Sequence, residues 1–133
     1  MKIVILGNPA TKKNSPEIVF VNKKSKGGKG SKNGKVPILL PSKAYRAYEK
    51  LAKPQLMGII NEPIDIRVNL KAVYYMRTHH VVDLNNLLEG TCDLLVAAKV
   101  LKDDNTRIVA THDGSEVLYD SLNPRVEIEI TAK

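Results

Sequence analysis

Hydrophobic and polar residues alternate most cleanly from Ile64 to Ala72. Ile64, Ile66, Val68, Leu70 and Ala72 share one parity; Asp65, Arg67, Asn69 and Lys71 share the other. A period of two with opposite character on its two faces predicts a half-buried strand, running on through Val73-Tyr74-Tyr75. After Pro124, Val126, Ile128 and Ile130 alternate with Arg125, Glu127 and Glu129, predicting a last strand. Shorter apolar runs predict strands at Lys2 to Leu6, ended by Gly7-Asn8-Pro9, and at Ile18 to Val21. Arg107 to Thr111 and Glu116 to Tyr119 also read as strands, with Asp113-Gly114 between them as a hairpin signal.

Two segments have helical spacing instead. Ser42 is a candidate N-cap, and Tyr45, Tyr48, Leu51 and Ala52 follow at intervals of three to four, with Pro54 expected to end or kink that helix. The two tyrosines have the chemistry to stack on bases, but helical spacing favours a core stripe. The second helix is expected from Leu84 to about Ala98. Leu84, Leu88, Thr91, Leu95 and Ala98 form its apolar face. Asn85, Glu89 and Asp93 repeat every four residues and, with Asn86, occupy about 100° of arc largely opposite that face. There are no internal repeats. This order of elements implies an α+β fold, a mixed β-sheet with two main helices in a single domain over residues 1–133.

Composition narrows the picture. The core must be aliphatic, because Trp is absent and Phe20 is the only Phe. Cys92 is the only cysteine, which excludes an internal disulfide and any zinc-type cysteine pair. The N-terminal apolar run is too short for a signal-peptide core, and no run approaches membrane-spanning length. A soluble protein away from the membrane is expected.

Charge changes the picture more. The net charge of +7 is unevenly placed. Between Lys12 and Lys53 there are twelve Lys/Arg against only Glu17 and Glu49; from Pro54 onward there are eight Lys/Arg against twelve acids. Asn22 to Lys35 holds six lysines, four glycines and no acid, predicting a basic mobile loop at about 22–36. It is no P-loop, since Gly34-Lys35 is followed by Val36 rather than Ser or Thr. A positive field of this kind attracts nucleic acid through its phosphates. Lys12, Lys13, Lys23, Lys24, Lys26, Lys29, Lys32 and Lys35 are the candidates to hold DNA backbone. A solvated linker would have the same composition.

Against this basic background stand Asp83-Leu84-Asn85-Asn86, Glu89, Asp93 and Asp103-Asp104-Asn105. Each has an ordinary reading. Asp83 suits an N-cap, Asp103-Asp104-Asn105 an Asx-type turn, and Glu89 and Asp93 a wet helix face. Together they place carboxylates before, along and just past one helix. That helix is about 20 Å long, so Asp83 and Asp104 meet only if the chain reverses after it. Oxygen ligands of this kind suit Mg²⁺, which commonly takes one or two carboxylates plus substrate phosphate. His79, His80 and His112 do not offer the converging set that zinc needs.

The run from Asp83 through Asp93-Leu94-Leu95, then Val100-Leu-Lys-Asp-Asp104-Asn, resembles the RusA family of Holliday junction resolvases. That family's pattern is Asp-x-Asp-Asn-x-x-Lys-x-x-x-Asp-x-Leu followed by Asp-Asp. Gly7-Asn8-Pro9 with Lys12-Lys13, and the terminal Asn123-Pro124-Arg125, are similar too. The resemblance implies a homodimeric, Mg²⁺-dependent (Mn²⁺ as substitute) endonuclease acting on four-way DNA junctions in recombination and repair. It implies no small-molecule cofactor and a place in the cytoplasm of a bacterial or phage-infected cell. By position it makes Asp83 and Asp104 metal-binding and catalytic, and gives Asn86, Asp93 and Asp103 motif positions. The family's second Asp is Asn85 here, and its Lys, implicated in catalysis, is Glu89. The expectation is that Glu89 serves as the second anionic, catalytic ligand, with Asp93 assisting and Asn85 as a neutral oxygen donor.

A noncatalytic nucleic-acid-binding module, or an RNA-directed protein of the same fold, would share the charge pattern. All of them depend on phosphate contacts. Affinity for DNA is therefore expected to fall by roughly two or more orders of magnitude between about 50 and 200 mM salt. Fluorescence anisotropy across a salt series measures this, and a flat response would remove the electrostatic argument.

Overall fold

A computed structural model describes residues 1–12, 17–22 and 34–133, residue 17 in its backbone alone. Lys13, Lys23, Lys24, Lys26, Lys29 and Lys32, with nearly all of the expected basic loop, lie outside the described residues. The elements are β1 (Lys2–Leu6), β2 (Glu17–Asn22), β3 (Lys35–Leu40), α1 (Lys43–Leu56), β4 (Val68–Met76), α2 (Leu84–Ala97), β5 (Val109–Thr111), β6 (Glu116–Tyr119) and β7 (Arg125–Ala132).

β4 organises the main sheet. One of its edges pairs antiparallel with β7, which pairs antiparallel with β1. The other edge pairs in parallel with β5 and, further along, with β6. The sheet is therefore mixed, and with two helices it makes the expected α+β domain. β2 and β3 form a separate antiparallel pair. The apolar pattern does not announce β3, because Pro37 interrupts it; a two-stranded ribbon has edges on both sides and tolerates the missing donor.

The long alternating strand begins at Val68, not Ile64. The Ile64 N–H donates to the Val100 carbonyl (2.9 Å), and the Lys102 N–H donates to the Ile64 carbonyl (3.0 Å). That pairing takes Ile64 out of the sheet and toward the chain after α2, and Ile66 stays 59% exposed. At the other edge, Asp113-Gly114 turns the chain, with Gly114 at φ 87°, but makes no hairpin. β5 and β6 both run alongside β4 in the same direction, so the turn is a break in one edge strand. Side chains bridge the break. Asn69 Oδ1 accepts from the Asp113 N–H (2.8 Å), and Ser115 Oγ accepts from the Ala72 N–H (3.0 Å). Strand geometry also starts at Val109 rather than Arg107, because the Asn105 carbonyl holds the Ile108 and Val109 N–H groups in a turn.

The core lies between one sheet face and both helices. β4 contributes Val68, Leu70, Ala72 and Tyr74, β7 Val126, Ile128 and Ile130, and β1 Ile3 and Ile5. From α1 come Tyr48, Ala52 and Leu56, while Tyr45 is buried beside them; with Tyr74 these tyrosines belong to the interior, so the core is not the purely aliphatic one that the scarcity of Phe and Trp implies. Pro54 neither ends nor visibly interrupts α1 before Leu56. Gln55 explains the extra turn. Its side chain donates to the Leu6 carbonyl (3.0 Å) and accepts the Leu6 N–H (2.8 Å), pairing with β1 as a strand would.

α2 is buried more broadly than its expected stripe. Leu87, Leu88, Gly90, Thr91, Cys92, Leu94 and Leu95 are all buried, whereas Leu84 is only partly so. Leu95 is fully enclosed. Leu95→Ala is expected to cost about 2–5 kcal/mol of folding stability, read from the urea midpoint. A loss below about 1 kcal/mol would show that the site collapses around the deletion.

Candidate functional site

Burial of α2 on nearly every other side leaves one polar flank. Asn85 and Glu89 are exposed along it, while Asn86 and Asp93 are partly covered. Asp83 begins it as the N-cap. Its Oδ1 accepts from the N–H groups of Asn85 (2.8 Å) and Asn86 (3.4 Å). Both bonds use one oxygen of an exposed residue, and Oδ2 has no hydrogen-bond partner among the described residues. The cap and a ligand role are thus compatible on one carboxylate.

Past α2 the chain reverses. Lys99 adopts a left-handed conformation (φ 60°), and the N–H groups of Val100 and Leu101 both reach the Leu95 carbonyl (2.8 and 3.2 Å). Leu101 is buried, which fixes where the following polar turn emerges. In that turn Asp103 accepts from the Asp104 N–H (2.7 Å) and from Asn105 Nδ2 (3.1 Å), as an Asx-type turn requires. Lys102 leaves the site and pairs with Asp65 at 2.8 Å.

The reversal brings Asp104 back into electrostatic range of Asp93 and Cys92 on α2. Although Asp104 is exposed, partial desolvation, its interaction with the Asp103 side chain and the charges of Asp93 and Asp103 raise its pKa. Burial, then the charges of Asp104 and Asp93, push the Cys92 thiol up to about 12, which leaves it an unreactive core residue. No three His, Cys, Asp or Glu side chains gather closely enough to hold a metal ion among the described residues. Of the acids on α2, Asp93 is the one whose charge acts on Asp104, while Asp83 and Glu89 lie toward the head of the same helix.

The acidic flank has a cation on it. Lys12 Nζ lies 2.6 Å from Asp93 Oδ2 and 5.4 Å from the centre of the Tyr45 ring. Its backbone is pinned by the N-cap of α1. Ser42 Oγ donates to the Thr11 carbonyl (2.9 Å), and the Ser42 N–H donates to the Lys12 carbonyl (3.3 Å). Gly90 permits this packing, since a Cβ there would meet the Tyr45 ring at 3.1 Å, and the Tyr45 hydroxyl donates to the Gly90 carbonyl (3.2 Å). Nothing local in the sequence signals that Lys12 meets Asp93; the two are brought together by α1 packing on α2. Lys35, at the start of β3, is exposed.

The remaining candidates are occupied elsewhere. His79 stacks on Tyr119 with ring centres 3.7 Å apart, and His112 Nδ1 lies 2.9 Å from the Leu70 carbonyl. Arg125 lies over the Tyr75 ring and pairs with Asp120 (2.9 Å) and Glu127 (3.3 Å), so it braces the open sheet face.

Because the Asp104 pKa is raised on folding, the folded state holds that proton more tightly than the unfolded chain. Ionising Asp104 therefore opposes folding, and the opposition grows as pH rises through its folded pKa. Asp104→Asn is expected to keep or slightly raise the melting temperature at neutral pH, with the difference vanishing in acid. Thermal melts across pH measure this; a clear loss of stability at neutral pH would contradict it.

A family model described as Endodeoxyribonuclease RusA matches residues 21–131. No curated protein sequence matches the chain at a significant level. The matched stretch carries both helices and the Asp103-Asp104 turn, and on it the chain belongs to the RusA family of endodeoxyribonucleases.

Proposed function

We propose that this protein is a metal-dependent endonuclease that resolves four-way DNA junctions in recombination and repair. The observation that carries the reading is the chain reversal at Lys99, which sets the Asp103-Asp104 turn within electrostatic range of the polar flank of α2, in a member of a nuclease family. The reaction is phosphodiester hydrolysis. A water oxygen bonds to phosphorus, one phosphorus–oxygen bond to a sugar breaks, and the leaving oxygen ends protonated. The products are one phosphomonoester end and one hydroxyl end.

The carboxylates suit Mg²⁺ or Mn²⁺. Asp93 and Asp104 repel one another, and a hard divalent ion taking one or two carboxylates relieves that repulsion. Asp93 and Asp104 would hold it, with Asp83 Oδ2 and Glu89 offering further oxygens to the ion or its water from the head of the flank. When bound, the ion would supply an acidified water and neutralise charge on the phosphate. Asn85 and Asn86 have amides that suit phosphate and sugar oxygens. Lys35 and the lysines of the basic segment hold the flanking backbone, a sequence-independent contact. A two-fold junction needs two symmetric cuts, which a homodimer supplies. The site calls for no small-molecule cofactor, and no described helix is long and apolar enough to cross a membrane. The reading places the protein in the cytoplasm, with DNA.

Incubation of a labelled four-way junction with Mg²⁺, Mn²⁺ or EDTA tests this. The expected result is paired, symmetric, metal-dependent nicks. Asp83→Asn and Asp104→Asn should each reduce cutting by about 100-fold or more while the junction still binds. Asn caps a helix as well as Asp does, so Asp83→Asn separates the chemistry from the cap. Tight junction binding with no nick under any metal would sink the nuclease in favour of a binding module. Competition by a matched RNA duplex would redirect the substrate.

A further inference from the structure

We propose that Lys12 is the cation this chain brings to the reacting phosphate, and that its ion pair with Asp93 is the resting position it leaves when the junction binds. The inference rests on the nuclease reading and assigns a residue within it. Lys12 lies ahead of the stretch matched by the family model.

The charge inventory of the flank motivates it. α2 carries no lysine or arginine anywhere along its length. Its exposed side offers Asn85, Glu89 and Asp93, so the helix alone presents only neutral and negative groups to a phosphate. Hydrolysis builds negative charge on the phosphate oxygens, and a positioned cation is among the largest contributions to stabilising it. Lys12 is placed at this flank by tertiary structure. Its Nζ sits on Asp93, the same carboxylate that feels Asp104.

The construction of the contact separates a fixed base from a movable tip. Ser42 holds the carbonyls of both Thr11 and Lys12, and Ser42 is itself buried as the cap of α1. The side chain beyond that anchor is about one-third exposed, as is that of Asp93. A part-exposed pair of this type adds little to stability and opens readily. A lysine has four flexible carbons before its charge, so the ammonium can swing from Asp93 to a neighbouring phosphate without moving the backbone. A divalent ion taken up by Asp93 and Asp104 would compete for the same carboxylate oxygen and drive that release. Lys12 therefore differs from the lysines that hold flanking DNA. Its ammonium rests on one of the acids, Asp93.

Single-turnover cutting of a labelled junction by the full chain at saturating Mg²⁺ tests this, alongside junction Kd and melting temperature. Lys12→Gln is expected to slow cutting about 100-fold, with Kd changed less than about threefold and the melting temperature held. Lys12→Arg should recover most of the rate. Lys12→Cys gives a second route, because Cys92 is buried with its thiol pushed up to about 12 and is spared by mild alkylation. That variant should be slow until aminoethylation restores an ammonium at position 12. Unchanged cutting by Lys12→Gln, or parallel losses in binding and cutting, overturns the proposal. So does failure of aminoethylation to restore the rate. A wild-type chain that cuts no junction under any metal overturns the nuclease reading as well, so the two failures are distinct.

Discussion

Helix α2 has to be buried on most of its circumference and still present a polar strip to solvent. Leu87, Leu94 and Leu95 are almost wholly enclosed against the sheet. Thr91 reaches the Tyr74 hydroxyl at 2.6 Å, so the one polar side chain on the buried side finds its partner in β4. Gly90 lets Tyr45 and the chain before α1 lie against another part of the helix. What remains is the arc that holds Asn85, Glu89 and Asp93. The direction in which the site faces is therefore a consequence of packing, because no rotation of α2 exposes other residues without uncovering leucines. Uncovering a single buried leucine costs about 2 kcal/mol, more than a surface ion pair returns.

The same packing decides what else reaches the strip. Leu101 must enter the core soon after α2 ends, and Ile64 ties that segment down through two backbone hydrogen bonds. Asp103 and Asp104 emerge where that anchoring leaves them, and partial desolvation, then the Asp103 side chain and the charge of Asp93, raise the Asp104 pKa. Like charges held near each other by a rigid backbone oppose folding. Placing these acids near one another is therefore opposed by their mutual repulsion as well as by their partial desolvation.

Charge that is segregated along the sequence is mixed in space. The basic first third and the acidic remainder meet where α1 packs beside α2, and Lys12 on Asp93 is the contact that shows it. This arrangement gives an otherwise anionic strip a positive group on an anchored base.

Much of this was legible beforehand, for physical reasons that can be named residue by residue. The alternation from Val68 onward and through β7, the Ser42 and Asp83 caps, and the polar spacing of Asn85, Glu89 and Asp93 are all local patterns. Local backbone geometry has a fixed period, so it can be read from neighbours in the chain. Where the fold departs from the local pattern, the cause is equally systematic. Ile64 alternates as a strand residue but pairs with Val100 and Lys102; Asp113-Gly114 turns the chain, yet β5 and β6 pair with β4 rather than each other; Pro54 lies within a helix that Gln55 holds to β1. In each case a distant partner decided the outcome. By itself, then, the sequence determined the types of the elements other than β3, the mixed sheet with two helices and the set of acids on one helix flank. Tertiary structure decided which edge each strand joined, that the Asp104 turn comes back within electrostatic range of Asp93, and that Lys12 pairs with Asp93. Periodicity is set by bonds along the chain, whereas ladder partners and ion pairs are set by which distant surfaces burial brings together.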